Sequence, residues 1–527
     1  MERRSDPLIE ELLGIIETLN GYVRGGEQDK QDLLAEIKRL KGLNQRPKIS
    51  PSALGRPQKP NKTKNRAGSA KKHKTKDLII HEEKIIAVKS VPADARFKGY
   101  APFVVQELII KAKNTRYLLE KWQLSSGKYI QAKLPTQIAG NHFGPQLRSY
   151  LLHQCYHQGV TQPLLLEQMH EWGIDISKGG LNNILTSEQD TYHAEKEELL
   201  VVGLRSSSYI QTDDTGARHK GKNYYCTVVT NPHFTYFRTS KRKNRINFLE
   251  ILSGGKSLYV VNAAAIQYLK QKGLAQVTIQ TLIDNPKDFK NTQEWERYLN
   301  YFKIPITERE KLLLTEGVMY GAVVASGLLV NTPIISDEAG QFNLFNHGLC
   351  WFHAERKIEK LIPSNDQEIK DIDLVKQNFW NIYDELVKYK IKPKKPLAKQ
   401  IKNLFSVMCK HNVFTGLKKV LASFASKQEE LLLVLKYPII PLHNNLSERD
   451  IREYVKKRKI SGSTRSENGR MCRDTFASLK KTCKKLGLTF WKYLLDRESN
   501  LGKLRLLSDM LKDALCGKDI YIKTQVA

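Results

Sequence analysis

Two aspartates directly follow predicted strands, a position from which a carboxylate can bind a metal ion. Asp213 follows the alternating run Ser208–Thr212, and Asp337 follows the β-branched run Thr332–Ser336. If the two predicted strands are neighbours, both carboxylates lie at one sheet edge, within bridging distance of a metal. Oxygen-only ligands of this kind suit Mg²⁺ or Mn²⁺. A single Asp at a strand end is usually a turn former or a helix cap, so the inference depends on the pair.

A third acid, Glu448, lies in the string PLHNNLSERDIREYVKKRK. Asn444 and Asn445 are predicted to cap a helix that runs to about Lys459. Glu448 falls in its first turns, with Arg452 four residues later on the same face. An ordinary Glu–Arg pair on a solvated helix face fits this string equally well.

Basic residues surround Glu448 and continue into the Gly-, Ser- and Arg-rich segment Gly462–Arg473, which is predicted to be a loop. Such groups hold a DNA backbone rather than read its sequence. The candidates in this part of the chain are Arg449, Arg452, Lys456, Lys457, Arg458, Arg465 and Arg470.

Other acids compete for the same roles. Asp214 and Glu338, next to the chosen aspartates, are second choices. Asp284 and Asp288 are rivals within residues 255–330, but the context Ile-Asp-Asn-Pro around Asp284 favours a turn. Asp337 is preferred because it follows a β-branched run.

One further string, CWFHAERK, has the spacing of half a zinc site at Cys350 and His353. No second pair with suitable spacing follows, so core packing is the favoured interpretation.

The chain has 527 residues and a formal net charge of +31 at pH 7. Such an excess favours a polyanionic partner, because Lys and Arg that neutralise phosphates release counterions. Ribosomal and membrane-surface proteins can also be basic, so charge indicates a nucleic-acid class and nothing finer.

Seven irregularly spaced cysteines without a CxxC pair predict reduced thiols in a cytoplasmic protein. No signal-peptide core is present and the longest apolar stretch, Gly317–Val330, is too short to span a bilayer, so no membrane partner is expected.

Composition and periodicity divide the chain into an α/β multidomain arrangement. The pattern over residues 1–46 predicts amphipathic helices. It fits coiled-coil pairing and an intramolecular helical hairpin equally well. The next segment has prolines, many cations and no acid, and predicts a disordered linker in which Lys71 and Lys72 are candidate phosphate contacts. The predicted parts are helices (1–46), basic linker (47–76), mainly helical region (77–205), α/β domain (206–490) with insertions at 255–330 and 360–438 (the latter helical), and C-terminal helical tail (491–527).

The helical region contains the spacing of a helix-turn-helix. A helix is predicted over Pro163–Trp172, followed by a turn and by Ser177 as the N-cap of the next helix. Lys178 would then lie on the recognition helix. Helix pairs joined by a short Gly turn are also common in ordinary cores, so DNA reading is one of two interpretations.

Taken together, the ordered strings resemble the transposase of the insertion-sequence-66 family of bacterial mobile elements. The matching pieces are YIQTDDTG, Ser336-Asp337, CWFHAERK, and NNLSERDIR followed by the Gly/Ser/Arg segment and LKKTCKKLGL. The resemblance implies that Asp213, Asp337 and Glu448 are the catalytic acids of a ribonuclease-H-like domain with long insertions.

The resemblance also implies a chemistry and partners. Two Mg²⁺ or Mn²⁺ ions would serve cleavage of transposon ends and strand transfer into target double-stranded DNA. A homodimer or higher assembly and small accessory proteins of the element are expected partners. Two alternatives stay open: a nuclease or resolvase without strand transfer, and a catalytically inactive DNA-binding descendant.

This sequence departs from the family pattern in three ways. Residues 77–100 contain no Cys, so a structural zinc is not expected. His443 stands where the family usually has an Asp before the Glu helix. The insertion 255–330 separates the third strand and its helix from the strand that carries Asp337.

Overall fold

The computed structural model describes residues 78–517 except 91, 93, 136, 137, 139, 303–306 and 330. The predicted N-terminal helices and the basic linker with Lys71 and Lys72 therefore lie outside the described residues. The chain divides into two units, Met1–Lys111 and Ala112–Ala527. In the first unit the described residues, from 78 to 111, are mostly exposed and include no helix or strand.

The second unit begins with extended chain and a short hairpin, β1 (Lys121–Gln123) and β2 (Tyr129–Gln131). Among the described residues the first helix begins at Pro145, so the prediction of a mainly helical region over 77–205 is wrong for the described part of 78–144. Apolar side chains in this segment, such as Leu118 and Trp122, stay exposed. A short helix without an apolar face to pack is marginal in water, which explains its absence here.

The helical region proper has four helices and a π-helical stretch, His153–Gln158. Ser177 Oγ accepts from Gly180 N at 3.0 Å, so the predicted N-cap is confirmed, as are both helices of the predicted pair. The helices are α1 (Pro145–Leu152), α2 (Gln162–Glu171), α3 (Lys178–Thr186) and α4 (Asp190–Ser206).

A five-stranded mixed sheet forms the centre of the α/β domain, in the order β5-β4-β3-β8-β9. The first three strands are an antiparallel meander, whereas β8 and β9 run parallel to β3. The strands are β3 (Ile210–His219), β4 (Lys222–Thr230), β5 (Thr235–Ser240), β8 (Ile334–Ser336) and β9 (His347–Leu349).

The alternating run Ser208–Thr212 leads into β3, and the turn that joins β3 to β4 is tight. Only Lys220 and Gly221 separate β3 from β4, and both have positive φ. Asp213 is consequently inside β3, opposite Val228 of β4, and does not end the strand.

Residues 255–330 add helices and a small two-stranded sheet. Their buried residues, including Trp295 and Leu314, belong to the same core as the sheet and helices α1–α4. The elements are α5 (Arg245–Leu252), which precedes the insertion, then β6 (Tyr259–Val260), α6 (Ala263–Gln271), α7 (Gln276–Asp284), β7 (Asp288–Phe289), α8 (Thr292–Tyr301) and α9 (Glu308–Ser326).

The helices that follow β9 have a separate core. Trp351, Phe379 and Phe405 pack in it, and Trp351 Nε1 donates to Leu431 O at 2.9 Å. The helices are α10 (Trp351–Glu359), α11 (Asp366–Ile391), α12 (Lys395–Cys409), α13 (Thr415–Ser426) and α14 (Gln428–Leu431).

The last helices are α15 (Asn445–Ser461), α16 (Glu467–Lys485), α17 (Phe490–Glu498) and α18 (Leu507–Leu515). The predicted loop Gly462–Arg473 is wrong beyond Ser466, whose hydroxyl accepts from Gly469 N and starts α16. Helix α15 packs against β3 and β4, and α16 packs against β5. Among the described residues, no helix has the length and apolar character needed to cross a membrane.

Candidate active site

Asp213 and Asp337 occupy equivalent positions on adjacent parallel strands. Ile210 lies opposite Ile334 and Gln211 opposite Ile335, so each aspartate lies two residues beyond the last paired position. Neighbouring strands are about 4.8 Å apart, which places both residues at the same edge of the sheet. The two strands are therefore neighbours, which is the condition on which the inference from the sequence depended.

The electrostatic setting of Asp213 disfavours its charged form. Its Oδ1 accepts from Asp214 N at 2.7 Å, and no described cation lies within ion-pair distance. Burial raises the pKa of Asp213 to about 7, and repulsion from Asp337, Asp214 and Glu448 adds to that rise. The carboxyl therefore favours a proton or another cation beside it.

The loop after β8 fixes Asp337. Asp337 Oδ1 accepts from Ala339 N at 3.0 Å, which makes a turn directly after the strand. Ser336 Oγ donates to Asp337 O and lies 2.7 Å from His347 Nε2 on β9. Strand pairing and this turn together decide where the carboxylate lies.

A glutamine on β3 ties the Glu448 helix to the strand of Asp213. Gln211 Oε1 accepts from Leu446 N at 3.1 Å and from Ser447 N at 3.3 Å, two orphan donors of the first turn of α15. Asn444 Nδ2 donates to Thr212 O at 2.9 Å. The predicted side-chain cap by Asn444 is wrong, because its amide instead serves the strand, and Gln211 takes the capping role.

Glu448 contacts a histidine rather than the aspartates. Its Oε1 lies 3.6 Å from His353 Nε2, and its Oε2 lies 4.0 Å from the Arg452 guanidinium four residues later. Burial lowers the pKa of His353, and Glu448 partly offsets that effect. Cys350, three residues before His353, is buried and its sulfur accepts from Asn444 N, which agrees with core packing for that cysteine.

The donor set suits a hard divalent cation, although its geometry is incomplete. Across the described residues, no three His, Cys, Asp or Glu side chains are grouped closely enough to hold a metal ion. Asp213 and Asp337 supply carboxylate oxygens from adjacent strands, the ligand type that Mg²⁺ and Mn²⁺ prefer. Glu448 is close enough to raise the pKa of Asp213 but is turned towards His353.

The rival acids are engaged elsewhere. Asp214 accepts from Gln341 Nε2 and lies 2.8 Å from Lys243 Nζ. Glu338 is paired with Lys357 and Lys427. Asp284 and Asp288 are exposed at the end of α7 and in β7. Only Asp213 and Asp337, of the acids at this edge, lack a cationic partner in the part of the chain that the structure describes.

The basic candidates divide into exposed and structural groups. Lys457 donates to Cys155 O at 2.6 Å, Arg458 to Thr215 Oγ1, and Arg470 pairs with Glu467. The exposed candidates are Arg449, Arg452, Lys456, Arg465 and Lys178.

Two residues at the edge were missed by the sequence reasoning. Gln211 has no local signal, because its capping partners lie more than two hundred residues away. Lys243 does have a signal in the sequence, because the run Lys-Arg-Lys-Asn-Arg over 241–245 directly follows the stretch that forms β5.

The fold and site thus define a mixed α/β protein with a carboxylate pair at the edge of parallel strands. A model of the family described as Transposase IS66 family matches residues 336–471. This match includes Asp337 and Glu448 but not Asp213. An uncharacterized protein, y4jO, of Sinorhizobium fredii (strain NBRC 101917 / NGR234) is 41% identical over 302 residues, which cover 57% of this chain and 94% of y4jO. The chain belongs to the IS66 transposase family.

Proposed function

We propose that this protein is a DDE-type DNA transposase that cuts transposon ends and joins them to target DNA in a metal-dependent reaction. The observation that carries the proposal is the pair Asp213 and Asp337, at equivalent positions of adjacent parallel strands and without a cationic partner in the described residues. The strand order and directions of the sheet support a ribonuclease-H-like catalytic domain.

In this proposal Asp213 and Asp337 hold divalent ions, Mg²⁺ or Mn²⁺, and Glu448 leaves His353 to complete the ligand set. Bound divalent ions would lower the pKa of the attacking water and offset the charge that develops on the leaving 3′ oxygen. The protein's own part is to hold two carboxylates that repel each other at one edge. That repulsion is relieved by a cation, so the site gains affinity for one.

Double-stranded DNA is the proposed partner. Arg449, Arg452 and Lys456 are exposed on α15 beside Glu448, where they can contact backbone phosphates. The net charge of +31 gives the long-range attraction. Paired cutting of two ends further requires at least two copies of the chain in the working complex.

The first experiment separates catalysis from binding. Full-length protein and the variants Asp337→Asn and Glu448→Gln are incubated with duplexes that carry the terminal sequences bordering the gene. We expect both to bind as the wild type does and to lose end cleavage, since each removes a proposed metal ligand. Asp284→Asn, an exposed acid outside the edge, is the matched control and should cleave normally.

Metal dependence is measured in the same assay. Cleavage should disappear in EDTA and return with Mg²⁺ or Mn²⁺. Undiminished cleavage in EDTA, or a parallel loss of binding and cleavage in Asp337→Asn, would contradict the proposal.

Strand transfer distinguishes a transposase from a nuclease. Pre-cut ends with a free 3′-hydroxyl are supplied together with plasmid target. Joined products are expected from the wild type and not from Glu448→Gln. Cleavage of intact ends without any joining of pre-cut ends would instead favour a nuclease or resolvase.

A further inference from the structure

A basic turn borders the carboxylate edge on its β5 side. Residues 241–245 run from the end of β5 to the first residue of α5, and four of the five are Lys or Arg. In this turn, Lys241, Arg242 and Lys243 are exposed. None of these residues is among the proposed metal ligands or phosphate contacts.

Two hydrogen-bonding residues attach the turn to the loop that follows Asp337. Arg245 Nε donates to Gly340 O at 3.0 Å, and Arg245 also lies 3.6 Å from Glu316. Gln341, next to Gly340, donates to Asp214. The two loops that flank the edge are therefore held together around the Asp214 carboxylate, and the turn keeps a defined position.

Lys243 reaches the edge from this turn. Its Nζ lies 2.8 Å from Asp214 Oδ1, and the charges of Asp337 and Asp213 also act on the ammonium. An ammonium has three donors. Asp214 is its one acceptor among the described residues, so donors remain for another acceptor at the edge.

Exposure argues against a purely structural role. The Lys243 side chain is 40% exposed, whereas the Asp214 side chain is 7% exposed. In the structural pair of Lys485 with Asp450, both side chains are buried, at 11% and 3%. Lys243 thus extends from a buried carboxylate to solvent at the place where substrate must approach Asp213 and Asp337.

We propose that Lys243 contacts a backbone phosphate of the DNA beside the cleaved bond, with Asp214 as the carboxylate that orients its ammonium. This inference rests on the proposed function, because it assigns a substrate contact to the same site. A phosphate brought to a carboxylate pair meets repulsion from every acid there. Lys243 supplies a positive charge on which both aspartates act, and Asp214 keeps it from folding back onto Asp213 or Asp337.

The test is single-turnover cleavage of end DNA in Mg²⁺ with the protein in excess. The protein concentration that gives the half-maximal rate and the maximal rate itself are measured separately. Lys243→Ala should raise the half-maximal concentration about tenfold, as expected for loss of a charge-assisted hydrogen bond that is partly exposed. The slope of log affinity against log salt should become shallower by about 0.9, the contribution of one phosphate. Lys243→Arg should restore both quantities, and Lys241→Ala, an exposed lysine of the same turn, is the matched control.

Loss of the ion pair could disturb folding, so a second variant removes both charges. Asp214→Asn with Lys243→Met leaves no unpaired buried carboxylate. If Lys243 only neutralises Asp214, this double variant will behave as Asp214→Asn alone does, which would overturn the inference. We expect instead that the tenfold loss persists in it.

Phosphate substitution locates the contact. Duplexes with a single methylphosphonate, placed in turn at each phosphate within a few nucleotides of the cut, are compared with wild type and Lys243→Ala. At one position the losses caused by the neutral phosphate and by the missing ammonium should not add, as expected when the two groups are partners in one interaction. Additive losses at every position would contradict the contact.

The two proposals fail in distinguishable ways. If Asp337→Asn cleaves normally, the proposed function is wrong. If Asp337→Asn is inactive but Lys243→Ala keeps the wild-type half-maximal concentration and salt slope, only the role of Lys243 is wrong.

Discussion

Two sets of carboxylates within one domain, one buried and one half-buried, differ in the number of donors that they receive. Asp450, on α15, accepts from Thr230 Oγ1 at 2.8 Å, Thr235 Oγ1 at 2.9 Å and Lys485 Nζ at 2.6 Å. Asp213 accepts one backbone amide. Asp450 lies only two residues from Glu448, on the face of the helix that packs against the sheet.

Asp474 on α16 is, like Asp450, a saturated carboxylate, meaning one that accepts from several donors of the fold. Its carboxylate accepts from Thr239 N at 2.7 Å, Thr239 Oγ1 at 2.8 Å and the Tyr454 hydroxyl at 3.2 Å. Arg470 lies 3.7 Å away. These bonds attach α15 and α16 to β5.

The difference separates stabilising acids from functional ones. Burial alone would raise the pKa of Asp450, but Lys485 and Lys481 and the Thr230 hydroxyl hold it below its usual value. Burial raises the pKa of Asp213 to about 7, because no comparable set of donors opposes it. A buried carboxylate that the fold leaves unneutralised is a candidate ligand for a cation or substrate.

The largest expected effect is on chemistry at the unsaturated acids. Asp213→Asn should lower the rate of end cleavage on the order of a thousandfold, because a lost metal ligand forfeits several kcal/mol of transition-state stabilisation. The thermal midpoint of the metal-free protein at pH 8 should not fall, since the variant removes a disfavoured charge. A variant that melts much earlier than wild type would place Asp213 among the stabilising acids and erase the contrast.

The opposite outcome is expected at the saturated acid. Asp450→Asn should lower the free energy of unfolding by about 3–5 kcal/mol, because it leaves Lys485 without its counter-ion. Thermal or urea unfolding measures the loss, with the exposed Asp284→Asn as control. Cleavage per folded molecule should stay near the wild-type value; a selective loss of cleavage with normal stability would show that Asp450 serves the reaction.

A single donor to Asp450 should matter less. Thr235→Val removes one hydroxyl from that carboxylate and keeps the side-chain volume nearly unchanged, so we expect a loss of about 1–2 kcal/mol. The same unfolding assay measures it. An effect as large as that of Asp450→Asn would mean that the hydroxyl, rather than the lysine, dominates the saturated site.

A further expected effect concerns the pH dependence of stability. The pKa of Asp213 rises from 3.8 in the unfolded chain to about 7 in the fold. Below about pH 4 the carboxyl is protonated in both states; between pH 4 and 7 the unfolded state ionises first, so stability falls as pH rises and levels off above 7. Relative to Asp213→Asn, metal-free wild type should lose up to about 4 kcal/mol over this range, because each pKa unit corresponds to about 1.36 kcal/mol.

Thermal midpoints of both proteins in EDTA, from pH 4 to 8, test this sign. The buried Lys485, whose pKa burial lowers to about 8, titrates equally in the two proteins and cancels in the difference. A difference that does not change with pH would mean that Asp213 is ionised throughout, like the saturated acids.

Local sequence patterns determined a substantial part of this protein. The alternating run Ser208–Thr212 predicted the start of β3, Ser177 predicted its helix start, and the strings around Glu448 predicted a helix that extends from Asn445. Each depends on contacts within a few residues, so periodicity and capping chemistry suffice. The β-branched run before Asp337 likewise predicted β8.

Only the tertiary structure decided which acids stay unsaturated. Asp213 and Asp214 are neighbours in sequence, yet Lys243 and Gln341 reach one and not the other. The cap by Gln211 and the pairing of β3 with β8 join residues separated by more than a hundred positions. Likewise, Asp450 and Glu448 share one helix, and only the packing of that helix on the sheet saturates the first. Such contacts depend on long-range packing, which local periodicity does not encode.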